Sequence, residues 1–122
     1  MNALPILLVE DNPMDVDLTR RAFSRHNLAN PLEVARDGQE AVDYISRWKG
    51  GDPLPAVILL DWKLPKLSGL EVLRTIRTHR QFAIVPVVVL TSSAEDQDIF
   101  EAYSLGANSY IVKPVDFDKF ID

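Results

Sequence analysis

The 122-residue chain is 47% hydrophobic and 25% charged, ample apolar content for one packed domain and too little length for two. A net charge of -5 argues against direct binding of nucleic-acid phosphates, and the lack of cysteine excludes disulfides, thiolate metal sites and a cysteine nucleophile. Apolar runs such as AVILL and VPVVVL are too short to insert in a membrane, and the N-terminus lacks the basic-then-apolar pattern of a signal peptide, so a cytoplasmic location is expected.

Along the chain a strand-then-helix rhythm repeats. PILLVE (5–10) reads as a strand that is almost continuously apolar, which predicts a central position covered on both faces. Asn12 then precedes Pro13 and stands three before Asp15, a helix-start signal, and Met14, Leu18 and Ala22, widened by Phe23, form the predicted apolar stripe. PLEVAR (31–36) alternates more, as an edge strand does. Asp37 with Glu40 predicts the next cap, Ala41, Tyr44, Ile45 and Trp48 the next stripe, and Gly50 its stop.

AVILLD (56–61) is the third predicted strand, and unlike the others it drives an apolar run straight into a carboxylate, Asp61. Ser68 with Glu71 opens a helix whose stripe is Leu70, Val72, Leu73 and Ile76. PVVVLT (86–91) is the fourth strand. Ser93 with Asp96 caps a helix carrying Ile99, Ala102 and Tyr103, which stops at Gly106, and NSYIVK (108–113) is the fifth strand. This alternation predicts an α/β fold with a doubly wound, mostly parallel five-stranded sheet and right-handed crossovers. In such sheets ligands bind beyond the C-terminal strand ends, where strand order reverses.

The strand ends read Glu10-Asp11, Arg36-Asp37, Asp61, Thr91 and Lys113. If the first, third, fourth and fifth strands are neighbours, three carboxylates, a hydroxyl and an ammonium converge. Two like charges about 4 Å apart repel by on the order of 4 kcal/mol at an effective dielectric near 20, so these groups need a counter-charge. A divalent cation supplies it, and an all-oxygen donor set without nearby His or Cys favours Mg²⁺, with Mn²⁺ the alternative, over zinc. A hydrated Mg²⁺ beside Lys113 and Thr91 suits a phosphoryl group, with Asp61 as a nucleophile that would form an acyl phosphate.

These residues lie in motifs that resemble the receiver domain of two-component response regulators, from Leu4 to Phe120. VEDNPMD resembles the family's acidic motif, LLDWKLPKLSGLEVL its phosphoacceptor motif, VVLTSSA its switch-threonine motif and GANSYIVKPV its closing motif. The resemblance implies a single receiver domain over 1–122 with a flavodoxin-like strand order 2-1-3-4-5. It implies phosphorylation of Asp61, and Mg²⁺ held by Asp11, Asp61 and the backbone carbonyl of Lys63, with Glu10 acting through water. Thr91 and Lys113 would bind the phosphoryl group, Tyr110 would be the mobile aromatic, and the Lys113–Pro114 peptide would be cis.

The donor it implies is a sensor histidine kinase or a phosphotransfer protein, and the chain is most similar to small receivers that partner phytochrome-type kinases. With no output domain, the message would pass to a downstream protein by contact, by formation of a homodimer or through a phosphorelay. Lys63 departs from the residue often found two after the acceptor, and its ammonium would either weaken the cation or shield the acyl phosphate from water. The final helix would be short, running only from about Phe117 to Asp122.

Three other readings meet the same residues less well. A phosphatase of the haloacid-dehalogenase type would need an acid at position 63, where Lys63 stands. A flavodoxin would need a hydroxyl-rich loop after the first strand, where this chain is acidic, and a degenerate receiver should have lost part of the site. His26 and His79 read as solvated helix-end residues, Trp48 as core, and Trp62 as either a lid on the acceptor or a packing residue.

Overall fold

In a computed structural model of the protein the described residues are 4–91 and 96–113. The strands are β1 (Ile6–Val9), β2 (Leu32–Ala35), β3 (Val57–Asp61), β4 (Val87–Thr91) and β5 (Ser109–Val112). The helices are α1 (Pro13–Arg25), α2 (Gly38–Lys49), α3 (Gly69–Thr78) and α4 (Asp96–Ser104), with a 3₁₀ turn at Arg80–Phe82. All strand pairs are parallel, in the order β2-β1-β3-β4-β5. This is the flavodoxin-like arrangement expected from the sequence. Ser93, the Lys113–Pro114 peptide and the short final helix lie outside the described residues.

Burial follows strand position. β1, β3 and β4 are buried almost throughout, whereas β2 and β5 are largely half-exposed at the edges. Because side chains alternate across a strand, each strand feeds two cores. Leu7, Val9, Ile58, Leu60, Val87 and Val89 point to one face. There they meet Ala41, Ile45 and Trp48 of α2, Val72, Leu73 and Ile76 of α3, and Ala102 of α4. Ile6, Leu8, Leu59, Val88 and Leu90 point to the other face, where α1 packs. Each fully buried aliphatic side chain contributes about 1.5–3 kcal/mol.

The caps formed as read. Asn12 accepts from the Met14 N–H at 2.9 Å, Asp37 from Glu40 at 2.8 Å and Ser68 from Glu71 at 3.3 Å. Two stripes differ from expectation. α1 buries Val16, Thr19, Ala22 and Phe23, and leaves Met14 74% and Leu18 57% exposed. Thr19 can be buried because its hydroxyl donates to the Asp15 carbonyl at 2.9 Å, so a polar residue takes a core position that an apolar count assigns elsewhere. In α4, Ala102 is buried but Tyr103 is exposed. α2 stops at Gly50, its C-cap, as expected, and the left-handed residue of the reversal is the next one, Gly51, at φ +108.

His79 is half-buried rather than solvated; its Nδ1 lies 2.9 Å from the Thr75 carbonyl and its ring 5.6 Å from that of Phe82. Beside it, Arg77 closes the end of the sheet opposite the functional rim. Its guanidinium donates to the carbonyls of Gly106 (3.0 Å), Ala83 (3.2 Å) and Val85 (2.9 Å) and to Asn108 Oδ1 (2.9 Å). Asn108 Oδ1 in turn accepts from the Val87 N–H at 2.9 Å, so one side chain ties α3 to the starts of β4 and β5. Burial lowers the Arg77 pKa from its usual value. We expect Arg77→Ala to cost on the order of 1–3 kcal/mol in urea denaturation, because the part-buried Val85 carbonyl and three more exposed acceptors lose their donor. Arg77→Lys should recover only part of it, since an ammonium cannot reproduce the planar fork. A loss of under about 0.5 kcal/mol for Ala would show that the latch contributes nothing beyond an ordinary surface residue.

Candidate phosphoacceptor and metal site

Parity along the strands decides which side chains meet. Glu10 continues the Ile6–Leu8 side of β1, Asp61 the Leu59 side of β3, and Lys113 the Ile111 side of β5, so all three belong to the α1 face. Thr91 and Tyr110 continue the Val89 side and belong to the opposite face. The parallel register then levels the strand ends. The Glu10 N–H donates to the Ala35 carbonyl, Trp62 to Leu90, both at 2.9 Å, and Lys113 to Thr91 at 2.7 Å.

The structure brings the expected residues to one rim. Carboxylate oxygens of Glu10, Asp11 and Asp61 lie within 4.8 Å of one another, with Glu10 and Asp61 buried and Asp11 exposed. Lys113 Nζ reaches Glu10 Oε1 at 2.6 Å, Asp15 Oδ2 at 3.2 Å and Asp61 Oδ2 at 3.3 Å. Thr91 is buried at the end of β4. Lys63 points its side chain to solvent while its backbone N–H donates to Asp61 Oδ1 at 3.3 Å. Tyr110 is half-buried against the α2–α3–α4 core. Trp62 packs into that same core, which settles it as a packing residue and not a lid.

The loop that follows Asp61 is clamped from both sides. A Cβ on Gly69 would stand 2.5 Å from the Asp61 carbonyl oxygen and 2.8 Å from Trp62 Cα, so α3 starts where only glycine fits. Gly38, at the start of α2, is pressed as closely onto Leu67. Lys66, at φ +68, pairs with Asp37 at 3.3 Å. The Glu40 N–H at the helix cap, with help from Lys66, lowers the pKa of Asp37.

Three functional features escaped the sequence reading. Asp15 was seen only as a helix-start acid, yet it is a partner of Lys113. Gly38 and Gly69 carried no signal as contact points, because the backbones they meet come from other parts of the loop and strand.

Electrostatics show how crowded the rim is. Burial, then the hydrogen bond shared with Asp61, push the Glu10 pKa up to about 7 against the pull of Lys113. For Lys113 burial disfavours the charge, but the hydrogen bond to Glu10 and the fields of Asp61 and Glu10 outweigh it and raise the pKa above its usual value. An all-oxygen set of three close carboxylates, one of them with its pKa raised to about 7 chiefly by burial, fits a hard divalent cation.

The family profile described as "Response regulator receiver domain" matches residues 6–122. The probable methanogenesis regulatory protein FilR2 of Methanothrix harundinacea is 46% identical over 114 residues, 93% of this chain and 74% of that protein. Among solved structures, the bacteriophytochrome response regulator AtBRR is 50% identical with a TM-score of 0.85, covering 98% of this chain and 89% of its own. The Mn²⁺-bound form of response regulator Rcp1 is 34% identical with a TM-score of 0.84, covering 95% and 85%. The chain therefore belongs to the response regulator receiver domain family of two-component signalling, and its neighbours include stand-alone phytochrome response regulators. Among the described residues no helix is long and apolar enough to cross a membrane.

The raised Glu10 pKa has a signed consequence for stability. The folded value, about 7, lies above the ordinary 4.5, so the folded state binds this proton more tightly than the unfolded chain does. That contribution is complete below pH 4.5 and is lost as pH rises through 7. In EDTA, urea denaturation should show stability falling by on the order of 2 kcal/mol between these limits. Saturating Mg²⁺ should remove the decline, since a cation then replaces the proton, and Glu10→Gln should abolish it without metal. Equal pH slopes for parent and Gln variant would show that Glu10 is not the group under pressure.

Proposed function

We propose that the chain is a phosphoacceptor switch, a single domain over 1–122 working in the cytoplasm, which takes a phosphoryl group from a sensor histidine kinase or phosphotransfer protein onto Asp61. The observation that carries this reading is the meeting of Asp61, Glu10 and Asp11 with Lys113 Nζ 3.3 Å from Asp61 Oδ2. Asp11 and Asp61, with the backbone carbonyl of Lys63 and with Glu10 through water, would hold Mg²⁺; Mn²⁺ fits the same donors. The cation supplies charge neutralisation for the carboxylates and for the equatorial oxygens of the transferring group.

The chain's own residues do the rest. A carboxylate oxygen of Asp61 attacks phosphorus, the new O–P bond forms as the P–N bond to the donor imidazole breaks, and the imidazole leaves with the electron pair and takes up a proton. Lys113 gives the phosphoryl oxygens an ion pair and Thr91 gives a hydrogen bond. Lys63, exposed beside the acceptor, would either weaken the cation or shield the acyl phosphate from water. The catalysis is confined to the chain's own phosphorylation and dephosphorylation. Thr91 and Tyr110 share a sheet face, so movement of Thr91 toward the phosphoryl group changes the space open to Tyr110. That reshapes the α4–β5 side for a downstream protein or a second copy of the chain. Driving such a switch from mostly off to mostly on takes about 5.5 kcal/mol of differential binding.

The test is labelling with acetyl phosphate and with a kinase in Mg²⁺. Asp61→Asn should lose all label, while Lys113→Ala should keep Mg²⁺ binding and lower the labelling rate by at least about tenfold. Label on Asp61→Asn equal to the parent's would end the assignment.

A further inference from the structure

The Lys113 ammonium donates hydrogen bonds to Glu10 at 2.6 Å and Asp15 at 3.2 Å and forms an ion pair with Asp61 at 3.3 Å, so three carboxylates share one cation. Two of those three belong to the oxygen cluster that fits a divalent cation, and Asp15 does not. Asp15 reaches the rim from the first turn of α1; Thr19, one turn on, is buried, with its hydroxyl donating to the Asp15 carbonyl at 2.9 Å. Its place in the first turn of α1 also favours its negative charge.

A cation that draws on Asp61 directly and on Glu10 through water sets Lys113 in competition with it, because both positive charges use the same carboxylates. Without Asp15, Glu10 and Asp61 would be the carboxylates left to the ammonium among the described residues. We propose that Asp15 is a positioning residue that holds the Lys113 ammonium on the α1 side of the rim while Glu10 and Asp61 turn to the divalent cation. The inference rests on the cation and phosphoryl reading of the rim. Asp15 takes no part in the covalent step. It sets where Lys113 waits, and so how little the lysine opposes the metal before a phosphoryl group arrives to claim it.

The experiment is calorimetric titration of the full chain with Mg²⁺ alone at fixed pH and salt. Asp15→Asn should weaken Mg²⁺ roughly three- to tenfold, the scale of one partly exposed charge-assisted contact. Asp17→Asn is the control: it removes the same charge from the same helix, but its partner is Arg21 at 2.9 Å, and its effect should stay below about twofold. The decisive measurement is the double-mutant cycle with Lys113→Met. In that background Asp15→Asn should lose most of its effect, because there is no ammonium left to position. Asp15→Glu, which can still reach the lysine, should recover part of the parent's affinity.

An Asp15→Asn effect that persists undiminished without Lys113 would overturn the proposal, since Asp15 would then act by its charge alone. Parent-like affinity in Asp15→Asn would also overturn it, while leaving the reading of the site intact. A parent chain that takes up no Mg²⁺ would overturn both.

Discussion

One ammonium among too many carboxylates is the constraint on which this rim depends. Glu10 and Asp61 are both nearly excluded from water, and each would repel the other by on the order of 4 kcal/mol at contact distance if both were ionised alone. Lys113, with contacts of 2.6 and 3.3 Å to them, makes their coexistence possible. It does not finish the task, since Glu10 is still driven up to about 7. The pocket therefore has a standing demand for positive charge, which a proton meets poorly and a divalent cation meets well. A chain that only needed to fold would gain by replacing these groups with apolar ones. Their retention at the end of an otherwise aliphatic sheet is the physical sense of a strand that runs into Asp61.

The sheet delivers these groups because parallel register and side-chain alternation act together. Neighbouring strands end level, and every second residue faces α1. A slip of one residue in β5 would carry Lys113 to the other face and leave the carboxylates unmatched. The register is held at both ends. At the rim the Lys113 N–H bonds the Thr91 carbonyl at 2.7 Å, and at the far end Arg77 and Asn108 fasten the starts of β4 and β5. Arg77 is thus remote from the chemistry and still part of what aligns it.

The fold and the residues that gather at the rim were legible because each depends on a local pattern. Aliphatic runs, cap pairs and the alternation of strand and helix specify an α/β sheet, and the strand-end rule then points to Glu10, Asp11, Asp61, Thr91 and Lys113. What escaped depends on contacts that no local pattern records. The facing of α1 was misjudged because Thr19 counts as polar, although a hydrogen bond to its own helix lets it enter the core. Asp15 was hidden by the same error, since its nearness to Lys113 follows from how α1 is turned. Arg77 reads as one more surface cation in a stripe of alternating polar residues, and only the folded chain brings Gly106 and Asn108 within its reach. Gly38 and Gly69 look like ordinary helix-start residues until the loop that carries Asp61 is laid against them.

The division of the site between two faces bears on how a local event is felt elsewhere. Asp61, Glu10 and Lys113 lie on the α1 side, whereas Thr91 and Tyr110 lie on the side of α2, α3 and α4. A group bound at Asp61 that draws on both the Lys113 ammonium and the Thr91 hydroxyl would bridge the top of the sheet and bias both layers at once. β4 is the hinge of that argument. Its terminal residue carries the Lys113 backbone through its carbonyl, while its side chain shares the face of Tyr110 and Ala102. The rest of β4 is buried on both sides and cannot shift without disturbing both cores. Its end is where one buried residue joins the charged rim to the face that Ala102 of α4 packs on.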